Sequence, residues 1–198
     1  MALLPSMRVN LERTIVLLVD DNPQGLEAMA GMMRAFGVRK MFKHGSAKDA
    51  MTCVETQELD LIIVDSAMPD IDGYDFVRWL RTEARSDATF TPVIMMSGHT
   101  GRGVVEKSRD CGVNFVLAKP FSPEVLLQRI LWVARDERQM VRVASYTGPD
   151  RRFKNTGPPP ETEGRRHDDL SVSVGVAVDS NLGQSDIDDL FKPGRVQL

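Results

Sequence analysis

The sequence predicts an α/β protein with a doubly wound, five-stranded parallel sheet and a largely disordered C-terminal tail. Short, almost wholly apolar runs alternate with segments whose apolar residues recur at helical spacing. Beyond about residue 140 the chain is instead rich in proline, glycine, arginine and aspartate. We therefore expect an N-terminal extension (1–13), a folded domain (14–138) and a tail (139–198).

Apolar runs predict the strands. Near-continuous runs occupy residues 14–19, 60–64, 92–96 and 115–118, and a weaker one occupies 38–43. Strands that lack a polar face suit a parallel sheet that is covered by helices on both sides. In such sheets ligands bind beyond the carboxyl ends of the strands, so functional residues should lie there.

Helical spacing predicts the segments between the strands. Apolar residues recur at this spacing in three stretches, within residues 26–36, 76–80 and 125–133. The last of these helices should begin at Ser122, because serine is a favoured N-cap and Pro123 suits the first helical position.

Composition excludes several classes of protein. The chain has 198 residues, of which 42% are hydrophobic and 27% charged, and its net charge of −3 gives no global reason to bind nucleic acid. No apolar run approaches the roughly 20 residues of a membrane helix, and residues 1–13 lack a secretory signal, so we expect a cytoplasmic protein. Cys53 and Cys111 lack metal-binding spacing and should be reduced core residues.

Polar residues follow four of the predicted strands. Asp20 and Asp21 follow the first, Asp65 the third, Ser97 the fourth and Lys119 the fifth. Three carboxylates at one edge repel one another and should bind a hard divalent cation, for which Mg²⁺ is the natural choice. With an ammonium and a hydroxyl, this set suits phosphoryl transfer, with Asp65 as the acceptor. Any one aspartate is more simply a turn or N-cap residue, but the ordered set is not.

The same positions carry a family resemblance. The sequences VDDN (19–22), VDSAMPDIDG (64–73), MSG (96–98) and AKPF (118–121) resemble the receiver domain of two-component response regulators, which has a flavodoxin-like, CheY-like fold. The resemblance implies that a histidine kinase or phosphotransfer protein phosphorylates Asp65. It further implies the following ligands: Asp20, Asp21, Asp65 and the backbone carbonyl of Ala67 for Mg²⁺, and Ser97 and Lys119 for the phosphoryl group. A cis peptide before Pro120 is also implied.

One position departs from the family pattern. Val116 stands where the family usually has a tyrosine or phenylalanine that rotates on activation, and Phe115 cannot replace it because adjacent strand residues face opposite sides. The usual aromatic switch is therefore in question, although Val116 is equally well explained as a core residue.

Arginine pairs distinguish the tail. The candidate residues are Arg151, Arg152, Arg165, Arg166, Asp168 and Asp169. Arginine forks bind phosphates and the edge of guanine, and a carboxylate accepts hydrogen bonds from guanine. The pattern resembles the arginine-rich tails of CheY-like cyclic di-GMP effectors, and residues 145–169 alone should be disordered. The alternatives are a solvated linker or an arginine tract that binds RNA or an anionic surface.

The end of the tail has two further patterns. Strict alternation over 170–178 predicts a strand that pairs with a sheet edge of this chain or of a partner, or else a valine-rich linker. Ser185 and Asp188 are spaced as a capping box, and Ile187, Leu190 and Phe191 share one helical face. This segment resembles the N-terminal peptide of flagellar switch proteins. It should dock on a receiver surface, its own or another's, unless it is an ordinary amphipathic terminus.

Taken together, the sequence predicts a response regulator without a DNA-binding domain. Asp65 accepts a phosphoryl group with Mg²⁺, and the tail binds cyclic di-GMP to control a protein partner such as a flagellar switch or another receiver. The alternative is a phosphorelay adaptor whose tail recruits proteins and binds no nucleotide. We expect neither DNA nor a membrane as a partner, and no enzymatic turnover.

Overall fold

A five-stranded parallel sheet forms the centre of the molecule. The computed structural model describes residues 11–136, 138–143, 146–150 and 183–191. The strands are β1 (Ile15–Val19), β2 (Lys40–His44), β3 (Leu61–Asp65), β4 (Val93–Ser97) and β5 (Phe115–Ala118), in the spatial order β2-β1-β3-β4-β5. All four pairings are parallel. The predicted doubly wound sheet is confirmed, and each strand lies within two residues of its predicted run.

Helices alternate with these strands. They are α1 (Pro23–Ala35), α2 (Ala47–Thr56), α3 (Gly73–Thr82), α4 (Arg102–Cys111) and α5 (Pro123–Ala134), with a 3₁₀ turn at Ala88–Phe90. The Ser122 side chain accepts a hydrogen bond from the Val125 amide at 3.3 Å, so the predicted start of α5 is confirmed. In the part of the chain that the structure describes, no helix has the length and apolar character needed to span a bilayer.

The sheet and helices enclose one apolar core. Every residue of β3 and β4 is buried, as expected for strands covered on both faces. Cys53 and Cys111 are both free and buried, and burial raises the pKa of both thiols, that of Cys111 to about 12. Both cysteines therefore remain protonated core residues at neutral pH.

A hairpin follows the last helix of the sheet domain. Strands β6 (Met140–Val143) and β7 (Tyr146–Pro149) pair antiparallel, and β7 packs on α3 and α4. The expectation of disorder is therefore wrong for residues 146–149. The reason is a close backbone contact that the sequence does not reveal. Gly112 has a φ of 97°, and a Cβ on Gly148 would lie 2.8 Å from the Gly112 Cα.

A buried arginine joins α3 to the loops that precede β4 and β5. The Arg81 side chain donates to the backbone oxygens of Gly112 (3.0 Å), Thr89 (2.6 Å) and Thr91 (2.9 Å), and to Oδ1 of Asn114 (3.3 Å). Burial lowers the pKa of the guanidinium to about 10, so it is charged at neutral pH. Arg81 thus holds the turn after α4, on which β7 packs.

We expect Arg81→Met to lower the free energy of unfolding by about 2–4 kcal/mol, because it leaves buried carbonyl oxygens without donors. Urea denaturation measures the change. The matched control is Arg78→Met on the same helix, where an exposed ion pair with Asp75 is lost and the change should stay within about 0.5 kcal/mol. Similar small effects of both substitutions would contradict the structural role of Arg81.

Candidate functional site

Charged side chains converge at the carboxyl ends of three strands. Asp20 follows β1, Asp65 ends β3 and Lys119 follows β5. The Lys119 ammonium lies 3.0 Å from Oδ2 of Asp20 and 3.0 Å from Oδ1 of Asp65. Asp21 joins them, since carboxylate oxygens of Asp20, Asp21 and Asp65 lie within 4.8 Å of one another. The structure therefore brings together the acidic residues and the lysine that the sequence singles out.

The turn from β1 to α1 fixes the orientation of Asp20. Its Oδ1 accepts a hydrogen bond from the Asn22 amide at 2.9 Å, while the Asn22 side chain caps α1. A Cβ on Gly25 would lie 3.0 Å from Oδ2 of Asp20, so glycine leaves room for the carboxylate. No role for Asn22 or Gly25 follows from the sequence pattern, because each acts through local backbone geometry.

The β3–α3 loop positions Asp65. The amide of Ser66 donates to the Met96 carbonyl at 2.8 Å, and the amide of Gly73 donates to the Ser66 carbonyl at 3.1 Å. A Cβ on Gly73 would lie only 2.2 Å from the Asp65 carbonyl oxygen, so α3 can begin this close only with glycine. Ala67 is an exposed residue of this loop, next to the pocket.

Burial and neighbouring charges have opposite effects on the pKa values of Asp65 and Lys119. Burial raises the pKa of the Asp65 carboxyl, and the neighbouring Lys119 offsets only part of that effect. Burial alone would lower the pKa of Lys119, but its hydrogen bonds to Asp20 and Asp65 raise it on balance. The pocket therefore holds one ammonium among three carboxylates. An excess of negative oxygen ligands at this spacing fits a small divalent cation such as Mg²⁺.

Ser97 and the peptide before Pro120 complete this edge of the sheet. The Ser97 hydroxyl donates to the His99 carbonyl at 2.6 Å, and the Ser97 carbonyl accepts from the Lys119 amide at 2.8 Å. The Lys119–Pro120 peptide is cis, as expected. Val116, at the position of the usual aromatic residue, is fully buried in the core.

Beyond residue 150, the structure describes the tail only at residues 183–191. Arg151, Arg152, Arg165, Arg166, Asp168, Asp169 and the predicted strand at 170–178 lie outside the described residues. Helix α6 (Gln184–Phe191) forms as expected, and Ile187 is fully buried against the core of the sheet domain.

The predicted capping box at the start of this helix is wrong. The helix begins one residue before Ser185, and the Gly183 amide donates to Oδ2 of Asp186 at 3.1 Å. Asp188 instead forms an ion pair with Arg129 of α5. Gln184, to which the sequence analysis gave no role, binds the backbone of β5.

Comparison with known proteins identifies this arrangement. Residues 16–131 match the model of the response regulator receiver domain family. This match covers more than half of the chain, and the sheet order and acidic pocket agree with it. The chain therefore belongs to the response regulator receiver domain family, and the receiver-domain resemblance of residues 19–121 is confirmed.

Two relatives show how much of each chain is similar in sequence. The probable chemotaxis protein CheY of Rhizobium etli is 30% identical over 114 residues, which are 57% of this chain and 86% of that protein. The transcriptional regulatory protein GltR of Pseudomonas aeruginosa is 32% identical over 134 residues, 67% of this chain and 50% of GltR. The chain thus spans about half the length of GltR.

Solved structures show the same fold. Chemotaxis protein CheY4 of Vibrio cholerae is 28% identical, with a TM-score of 0.57 over 61% of this chain and 98% of that one. The receiver domain of a sensor histidine kinase from Pseudomonas aeruginosa is 32% identical, with a TM-score of 0.55 over 61% of this chain and 98% of that domain. The latter was solved with a magnesium ion coordinated in its active site cleft.

We expect Asp65→Asn to stabilise the fold at neutral pH in metal-free buffer. Because burial raises the pKa of Asp65 above its ordinary value of 3.8, the native state favours the protonated form. In the wild type, the Asp65 carboxyl therefore makes its full contribution to the free energy of unfolding below pH 3.8. This contribution is lost as the pH rises through the native pKa. The gain from Asp65→Asn should grow over that window, as measured by urea denaturation at several pH values. Asp87→Asn, at an exposed aspartate, should show no such growth.

Proposed function

We propose that the protein is a response regulator whose Asp65 accepts a phosphoryl group from a histidine kinase or phosphotransfer protein. The observation that carries the proposal is the contact of Lys119 with both Asp20 and Asp65, at 3.0 Å each, within a cluster of three carboxylates. Membership in the receiver family supports the same chemistry. We further propose that the phosphorylated chain acts as a signalling protein and not as an enzyme with turnover.

Each residue of the pocket has a separate role in the phosphoryl transfer. A carboxylate oxygen of Asp65 forms a bond to phosphorus, the phosphorus–nitrogen bond of the donor histidine breaks, and the imidazole keeps that electron pair and takes up a proton. The Lys119 ammonium leaves Asp20 to pair with the new phosphoryl oxygens. The Ser97 hydroxyl exchanges its bond to the His99 carbonyl for a bond to another of these oxygens.

Mg²⁺ is the metal that we propose for this pocket. Asp20, Asp21, Asp65 and the carbonyl of Ala67 would hold it, and when bound it neutralises negative charge between the carboxylates and the phosphoryl group. The oxygen-only donor set fits a hard cation, and a relative in this family binds magnesium in its cleft.

We expect acetyl phosphate with Mg²⁺ to add one phosphoryl group to the chain, detected by intact mass spectrometry. Asp65→Asn should abolish this addition, because the acceptor oxygen is lost, and removal of Mg²⁺ by a chelator should abolish it as well. Asp75→Asn, at an exposed carboxylate on α3, is the matched control and should be phosphorylated normally. Phosphorylation of Asp65→Asn would place the acceptor elsewhere and refute the proposal.

We also propose that the tail binds cyclic di-GMP through Arg151, Arg152, Arg165, Arg166, Asp168 and Asp169, and thereby controls a protein partner. The support is the chemistry of the sequence: paired arginines beside carboxylates match the phosphates and guanine edges of this ligand. A net charge of −3 and interspersed acids disfavour RNA as the ligand. The competing proposal is an adaptor whose tail recruits proteins without a nucleotide.

Calorimetric titration of cyclic di-GMP into the full chain separates these two functions. We expect a dissociation constant in the micromolar range or tighter, and at least about a tenfold loss of affinity in Arg166→Ala, equivalent to about 1.4 kcal/mol. Arg142→Ala, at an arginine of β6 outside the two pairs, is the control. No heat at high ligand concentration, with normal phosphorylation by acetyl phosphate, would favour the adaptor.

A further inference from the structure

A row of stacked side chains runs between the two parts of the tail that the structure describes, the β6–β7 hairpin and α6. It consists of two arginines that flank two aromatic rings. The guanidinium carbon of Arg129 lies 5.0 Å from the centre of the Phe115 ring. The ring centres of Phe115 and Trp132 are 5.1 Å apart, in an edge-to-face arrangement. The guanidinium carbon of Arg138 lies 4.9 Å from the centre of the Trp132 ring. We name these four residues the arginine–aromatic column.

One end of the column fastens the start of the hairpin. Arg138 lies two residues before β6, and its Nε and Nη2 atoms donate to the two carboxylate oxygens of Asp136 at 2.7 and 2.5 Å. Nη2 also donates to the carbonyl of Asn114 at 3.0 Å. The side chains of Arg138 and Asp136 are more than nine-tenths buried. These contacts, with the stack on Trp132, fix the point at which the chain leaves α5 and enters the hairpin.

The other end of the column holds α6. Asp188 of α6 forms an ion pair with Arg129, and both side chains are more than four-fifths buried. The Nε atom of Arg129 is buried and has no hydrogen-bond partner among the described residues. The charge of Arg129 therefore depends on the Asp188 carboxylate and on the face of the Phe115 ring.

Loss of either anchor should loosen the column as a whole. When α6 leaves, Arg129 loses its carboxylate, and a largely buried guanidinium without a partner is unfavourable. The guanidinium then turns toward water and away from Phe115. Phe115 and Trp132 lose packing on that side, so the ring on which Arg138 stacks is held less firmly. Loss of Arg138 has the converse effect on Arg129, because coupling between two sites is reciprocal.

We propose that the docking of the β6–β7 hairpin and the docking of α6 are energetically coupled through the arginine–aromatic column. An event that detaches the hairpin loosens α6, and an event that detaches α6 loosens the hairpin. The two parts of the tail are thereby released together. The proposal does not depend on phosphorylation of Asp65 or on a nucleotide, since every contact that carries it lies between the tail, α5, β5 and the residues that flank these elements.

Hydrogen exchange of the full chain, followed by mass spectrometry, tests the coupling. Arg138→Met should lower the protection of the α6 amides about fivefold, at the lower end of ordinary coupling between sites. Asp188→Asn should lower the protection of the hairpin amides by a comparable factor. Arg142→Met is the matched control, because Arg142 is an exposed arginine of β6 outside the column, and it should leave α6 unchanged.

A second control and a double variant separate the column from general loosening of the fold. Ile63→Val, in the buried strand β3, should lower the stability of the whole domain without changing the protection of α6. Trp132→Leu interrupts the column, so adding Arg138→Met to it should cause no further loss of protection in α6. Protected β3 amides verify that the sheet domain of each variant is folded.

Three results would overturn the proposal. The first is equal protection of α6 in wild type and Arg138→Met. The second is an equal loss of α6 protection in Arg138→Met and in either control. The third is a further fivefold loss when Arg138→Met is added to Trp132→Leu, which would route the coupling outside the column. If Arg138→Met fails to keep its β3 amides protected, the effect of Asp188→Asn on the hairpin decides the proposal.

Discussion

The bridge from Lys119 to Asp20 and Asp65 is the interaction on which the functional site depends. It joins the ends of β1, β3 and β5, and it holds two carboxylates close together that would otherwise repel each other. The parallel topology makes the bridge possible, because it places the carboxyl ends of all five strands at the same edge. The buried sheet and its turns therefore serve to maintain a charged cluster that is unfavourable by itself.

The strands, the pocket residues and the cap of α5 could be predicted because each depends on a local sequence pattern. Apolar runs identified every strand of the sheet. The residues directly after those runs identified the pocket, because a residue that follows a strand lies at the edge of the sheet where that strand ends. The cap of α5 at Ser122 was likewise a local signal. The positions of Asp20, Asp65 and Lys119 followed from topology without any knowledge of side-chain contacts.

Features that depend on distant contacts could not be predicted in this way. The β6–β7 hairpin is stabilised by glycine contacts with the end of α4, and Arg81 binds acceptors up to 33 residues away. Gln184 bonds to a strand 66 and 68 residues earlier, which no local pattern reveals. The misplaced cap of α6 has the same cause, since the Asp188 carboxylate is engaged by the side chains of Arg129 and Gln184.

Strand β7, which ends at Pro149, and Gln184 both contact the sheet domain, so the structure fixes the two points between which residues 151–182 run. The entropy of closing a loop changes only slowly with its length, so doubling this stretch would cost about 0.6 kcal/mol. Insertions and deletions there should therefore be tolerated far better than substitutions in the few residues that make the closing contacts.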